Sequence, residues 1–163
     1  MAICTGANLG ATYSALGGDT PAPGDVFFGT GGKVYKFVRY REGTGALDIA
    51  AGDVVYYTDA AGGTSFEVTA DTSDASGQEI GAGVAATAVT TDGDYFGVQI
   101  KGPATVAQTS GGTAGDGDPL TCVGAADKAL TKAAESDTAA VYKPVVAFAV
   151  DASAKTVICD FPW

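Results

Sequence analysis

Large apolar side chains in this chain come only in short bursts: Val26-Phe27-Phe28, Val34 to Tyr40, Val54 to Tyr57, Tyr95-Phe96, Val145 to Val150 and Val157-Ile158. Each burst is cut off by Gly, Asp, Thr or Pro. Runs of β-branched and aromatic residues bounded by turn formers predict strands joined by tight turns. The 24 glycines fit that reading, because turns and bulges use residues that tolerate positive φ. A Gly-Asp-apolar phrase punctuates the chain at Gly24-Asp25-Val26, Gly52-Asp53-Val54 and Gly117-Asp118-Pro119-Leu120. It predicts a turn residue, an acid that caps the turn, and the start of a strand.

Two longer stretches share an outline of strand, turn, strand. The first runs from Gly83 to Val89, through Asp92-Gly93-Asp94, to Tyr95–Ile100; the second runs from Val145 to Val150, through Asp151 to Lys155, to Thr156–Cys159. Two hairpins of matched design predict a small β-barrel or sandwich, with Ala85, Ala86, Ala88, Ala147 and Ala149 allowing close packing. Residues 71–79 and 108–118 read as loops. Residues 125–140 have helix-forming composition, but no apolar stripe survives, and a hairpin return around Ala129 to Ala133 is the expectation. The fold class expected is all-β, in two parts: an extended or flexible arm over residues 1–24, and a β-rich domain over 25–163. The arm is short of large side chains and ends on Pro21-Ala22-Pro23-Gly24. It reads equally as a disordered tail or as a segment that orders against a neighbouring subunit.

Charge and missing residue types narrow the function. A net charge of −10 has the wrong sign for nucleic-acid binding, and nothing basic accompanies an apolar helix that would suit a membrane surface. No stretch nears the ~18 apolar residues of a membrane span. The N-terminus lacks the pattern of a secretory signal. Cys4, Cys122 and Cys159 form no CxxC pair, so a zinc ribbon is not expected, and buried thiols in a reducing compartment are. The chain has no histidine, which removes the commonest general base and the Ser-His-Asp arrangement. The carboxylates lie mostly in turns, and neither Asp71, Asp74 and Glu79 nor Asp116 and Asp118 has the spacing of a calcium loop. Gly81 to Ala86 matches a loose dinucleotide fingerprint but is followed by strand, and Gly29 to Lys33 lacks the Ser/Thr of a phosphate loop. No enzyme, no catalytic residue, no metal, no cofactor and no small-molecule substrate is expected.

The segment Lys33-Val34-Tyr35-Lys36-Phe37-Val38-Arg39-Tyr40-Arg41 holds four of the nine basic residues. On a strand, Lys33, Tyr35, Phe37, Arg39 and Arg41 share one face, and Val34, Lys36, Val38 and Tyr40 the other. This reads either as an exposed strand whose charges discourage edge pairing or as a docking strip for an acidic neighbour. The C-terminal Phe161 and Trp163 are expected to pack on the domain or at a subunit seam. Lys33, Lys36, Arg39, Arg41, Phe161 and Trp163 are therefore the candidate interface residues.

The order of these phrases over about residues 50–160 resembles the head decoration (cement) proteins of tailed bacteriophages. It runs from Gly52-Asp53-Val54 through Gly83-Val84-Ala85, Gly93-Asp94-Tyr95, Val98-Gln99-Ile100-Lys101-Gly102 and Gly117-Asp118-Pro119-Leu120 to Val145-Val146-Ala147 and Val157-Ile158. The resemblance implies a β-barrel-like virion protein, made in the host cytoplasm, that binds the outer capsid surface. It further implies a homotrimer that bridges major capsid subunits, with no nucleic-acid or membrane partner. The alternative is a carbohydrate- or host-binding head fibre module that uses exposed tyrosines such as Tyr56 or Tyr95.

Overall fold

A computed structural model describes residues 8–17, 20–45, 47–58, 66–75, 80–106, 108–110, 114–133 and 144–162. The chain is all-β. Its strands are β1 (Val26–Phe28), β2 (Val34–Tyr40), β3 (Val54–Tyr57), β4 (Glu67–Thr69), β5 (Gly81–Ala85), β6 (Tyr95–Thr105), β7 (Gln108–Ser110), β8 (Pro119–Thr121), β9 (Ala129–Lys132), β10 (Ala147–Asp151) and β11 (Thr156–Asp160). A 3-10 turn at Thr30–Gly32 is the only helical element among the described residues.

Strands β2, β4, β3, β5 and β6 pair in that order, and β6 pairs back to β2, closing a five-stranded barrel. Closure leaves those strands without a free edge. Alternation sends Phe96, Val98 and Ile100 of β6 inward to meet Val38, Tyr40, Val54 and Val68. Beyond Lys101, β6 leaves the barrel and continues as the first strand of an open sheet, β6-β11-β10-β8-β9-β7. Gly102 makes that passage possible: its φ is 87°, and a Cβ there would lie 2.6 Å from the Gly32 carbonyl oxygen. The inward face of the sheet (Leu120, Ala147, Val157, Cys159) joins the barrel residues in one continuous core. Tyr56 of β3 locks the two parts together, its hydroxyl accepting from the Ala129 N–H at 3.0 Å and donating to the Ala129 carbonyl at 2.8 Å.

The Gly-Asp phrase is one turn built three times. Gly24, Gly52 and Gly117 have φ of 91°, 91° and 84°, the third-residue geometry of a type II turn. Each following Asp donates its N–H to the carbonyl three residues back, at Ala22, Ala50 and Gly115. The same Asp's carboxylate accepts the N–H of that residue, at 2.9, 2.8 and 2.7 Å. Both polar groups of the turn are satisfied just before β1, β3 and β8 begin.

Two sequence expectations are corrected here. The first outlined hairpin is not tight: β5 ends at Ala85, and a connection over residues 86–94, held by an Ile49–Val89 bridge, precedes β6. The second is tight, with Ala147 opposite Cys159 and Phe148 opposite Ile158. Gln108–Ser110, read as loop, is β7, because its backbone pairs in parallel with β9 whatever its polar composition. Residues 76–79 and 134–140 of the other two ambiguous stretches lie outside the described residues, as do residues 1–7 of the arm. Farther along the arm, Tyr13 exchanges backbone hydrogen bonds with Tyr95 at 2.9 Å in both directions, and Thr87 donates its hydroxyl to the Gly10 carbonyl.

Candidate functional surfaces

Strand β2 carries the basic segment and lies inside the barrel wall, with β6 on one side and β1 and β4 on the other. It is not an edge strand, so its charges have no edge to protect. Val34, Lys36, Val38 and Tyr40 are buried on one face, as alternation requires. Lys36 is only 4 % exposed. Its ammonium donates to the Tyr57 hydroxyl at 2.9 Å and sits 5.1 and 5.5 Å from the Tyr57 and Phe66 ring centres. An enclosed cation held this way contributes to the protomer, and little of it is offered to a partner. Tyr40 donates to the Leu47 carbonyl at 2.8 Å. Burial first, and then the nearby Glu42, Asp48, Asp92 and Asp71, push its hydroxyl up to about 12.

The opposite face of β2 is covered at its centre and open at its end. Phe37 stacks on Tyr95 at 6.0 Å and meets Tyr13 edge-on at 5.7 Å. Arg39 lies 5.8 Å from the Tyr95 ring and donates to the Gly93 carbonyl and to Glu67 Oε1. Arg41 reaches Glu67 Oε2 at 3.5 Å and Asp92 at 3.7 Å. Glu67 is thus gripped by two guanidinium groups that stay 37 % and 44 % exposed while their carboxylate is mostly covered. The result is a fixed, mixed-charge platform. A cleft of about 600 Å³ adjoins it, lined by Arg41, Glu42, Thr58, Ser73, Asp74 and Asp92.

The other sequence candidates fall apart spatially. Lys33 is half-buried and forms no ion pair among the described residues; it borders two shallow grooves along the end of β6. Phe161 is fully buried in the protomer's own core, where its ring and the Cys122 sulfur fill the space beside Gly81. Trp163 lies outside the described residues. Tyr56, expected to be exposed, is completely buried because its hydroxyl serves the link to β9. The acids weighed for calcium are engaged locally. Asp74 accepts from the Thr44 N–H and hydroxyl, Asp71 from the Ser73 N–H, and Asp116 from the Ala152 N–H. Glu79 lies outside the described residues. Cys122 and Cys159 are buried thiols, and burial pushes the Cys159 thiol up to about 12.

One surface escaped sequence reading. Phe148 and Val150 of β10 and Ile158 of β11 are 49 %, 52 % and 43 % exposed on the outward face of the open sheet. Register places Pro119, Phe148, Ile158 and Pro103 in one row across four strands. Strand alternation was the available signal, but in Val145 to Val150 every residue is apolar, which hides it.

No known protein family matches the sequence, and no curated protein does. Among solved structures the chain is similar to the head fiber gp8.5 N base in bacteriophage phi29. Identity is 19 %, the match covers 78 % of this chain and 94 % of that one, and the TM-score is 0.46.

Proposed function

We propose that this chain is a non-enzymatic virion structural protein that binds the outer surface of an assembled phage capsid and stabilises it by bridging major capsid subunits, acting as a homotrimer. The reading is supported by the sequence resemblance over residues 50–160, whose Gly-Asp phrases fall on the turns that start β3 and β8. The observation that carries it is the Arg39–Glu67–Arg41 platform. Two guanidinium groups held at fixed spacing on a rigid barrel wall give directional recognition of carboxylates with little rotamer freedom left to lose. A protein that binds only the assembled lattice stabilises it by mass action, and repetition over symmetric sites multiplies modest contacts.

The test is co-sedimentation with assembled capsid shells. Arg39→Gln combined with Arg41→Gln is preferable to charge reversal, which would crowd new carboxylates against Glu67 and Asp92. The double variant is expected to bind at least about tenfold more weakly, the effect of ~1.4 kcal/mol. Unchanged capsid occupancy, with an intact thermal transition, removes the platform from the docking role.

A second reading, a carbohydrate- or host-binding head fibre module, is favoured by the polar cleft beside Arg41. Its hydroxyls and carboxylates suit a sugar's hydrogen-bonding groups. Glycan-array binding that disappears with Asp74→Ala would select it.

A further inference from the structure

We propose that copies of this chain meet through the outward face of the β6-β11-β10-β8 sheet, with Phe148, Val150 and Ile158 at the centre of the contact. This names the contact for the oligomer proposed above and rests on that part of the reading. The barrel's comparable surface, the outer side of β2 and β6, is covered by the chain's own Tyr13 and Leu9. The sheet's outward face has no such cover among the described residues. A groove of about 420 Å³ borders it, where Pro103, Val150 and Ile158 of this face meet Lys33, Ala104 and Val157. Adjacent half-exposed large apolar side chains on neighbouring strands form a patch of the kind that marks an association surface.

Charge identifies the occupant. The protein carries −10 overall, so two copies repel across most approaches. Around this face the signs balance. Lys101 pairs with Asp160 at 3.1 Å. Lys33 borders the groove, Lys155 and Asp151 sit at the β10–β11 turn, and Asp116 accepts the Ala152 N–H in that same turn. Among the described residues, Lys33, Lys101 and Lys155 are matched by Asp116, Asp151 and Asp160 around an uncharged centre. A second acidic copy can approach here without net repulsion. A symmetric contact also lets the lysine rim of one protomer reach the aspartate rim of the next. A strongly basic partner would find no excess of carboxylates on this face to bind.

The experiment is sedimentation velocity on the isolated full chain at about 5 and 100 µM, without capsids, so that its outcome is independent of capsid binding. The expected result is a species of two or more protomers, reduced to monomer by Phe148→Ser combined with Ile158→Thr. Both sites are exposed, so the thermal transition of the double variant should stay within a few degrees of wild type. Phe28→Ser, which alters an exposed aromatic on β1, serves as the control and should leave the mass unchanged. A wild-type monomer at 100 µM overturns the proposal, as does an oligomer that survives the double substitution. A monomeric wild type whose capsid binding is abolished by the double substitution also overturns it and assigns the face to the capsid. Loss of capsid binding by the Arg39 and Arg41 variants with the oligomer intact leaves it standing.

Discussion

The barrel and the open sheet use the same strand, β6, and treat their outer faces oppositely. In the barrel wall, large residues point inward and the outer aromatic, Phe37, is covered by Tyr13 and Tyr95. In β10 of the open sheet, small residues point inward: Ala147 and Ala149 are buried while Phe148 and Val150, which alternate with them, are half exposed. A chain that needed only to fold would place its larger apolar groups on the core side, since stabilisation scales with apolar area removed from water. The difference accords with the proposed contact between copies, which would use the sheet's outer face while the shared core supplies stability.

That contrast can be broken by substitution. The largest effect is expected from Phe161→Ala, which opens a cavity where the barrel core meets the sheet and should cost about 3–5 kcal/mol by denaturant unfolding. A loss below ~1 kcal/mol would mean the two parts do not share one core. Next come the turns. Asp53 is only 3 % exposed, and its carboxylate accepts the Ala50 N–H and lies 3.8 Å from Lys128. Asp53→Ala should cost about 1–3 kcal/mol by removing a buried acceptor from the part-buried Ala50 N–H and from Lys128, whereas Asp25→Ala, in the equivalent turn nearer the surface, should cost less. Equal losses would show that burial does not set the turn's contribution.

The smallest effect is on pH dependence. In the sheet region, hydrogen bonds from Lys132 hold Asp118, and from Ser153 hold Asp151, below their ordinary 3.8. Their stabilisation is present above that value and is lost as pH falls through the folded values. In the barrel, Tyr40 is raised from 10.0 to about 12, so its contribution is complete below pH 10 and lost as pH climbs toward 12. Thermal melts across both ranges should show a decline at each end, and Tyr40→Phe should reduce the alkaline one, leaving the share of Cys159, which burial also raises to about 12. With no histidine in the chain, no step is expected near pH 6.5.

Much of the fold was legible because local chemistry decided it. The clusters at 26–28, 34–40 and 54–57 are strands, and the Gly-Asp phrases are capped turns. What was not legible depends on distant pairing. Closure of β2 onto β6 joins residues about sixty apart, and β4 and β7 take part through parallel pairs that their short, partly polar sequences do not announce. The site followed the same division. Alternation had already put Lys36 on the face of Val34, Val38 and Tyr40, so its burial could be read, but the aromatic partners Tyr57 and Phe66 could not. Arg39 and Arg41 were correctly set on one face, while Glu67, the acid that binds them together, comes from a strand nearly thirty residues away.

Gly102 has a wider consequence. Because one continuous strand passes there from closed wall to open sheet, a pull on the sheet is carried along the β6 backbone into the barrel wall. A shell fastened through such a piece would gain stiffness as well as attachment.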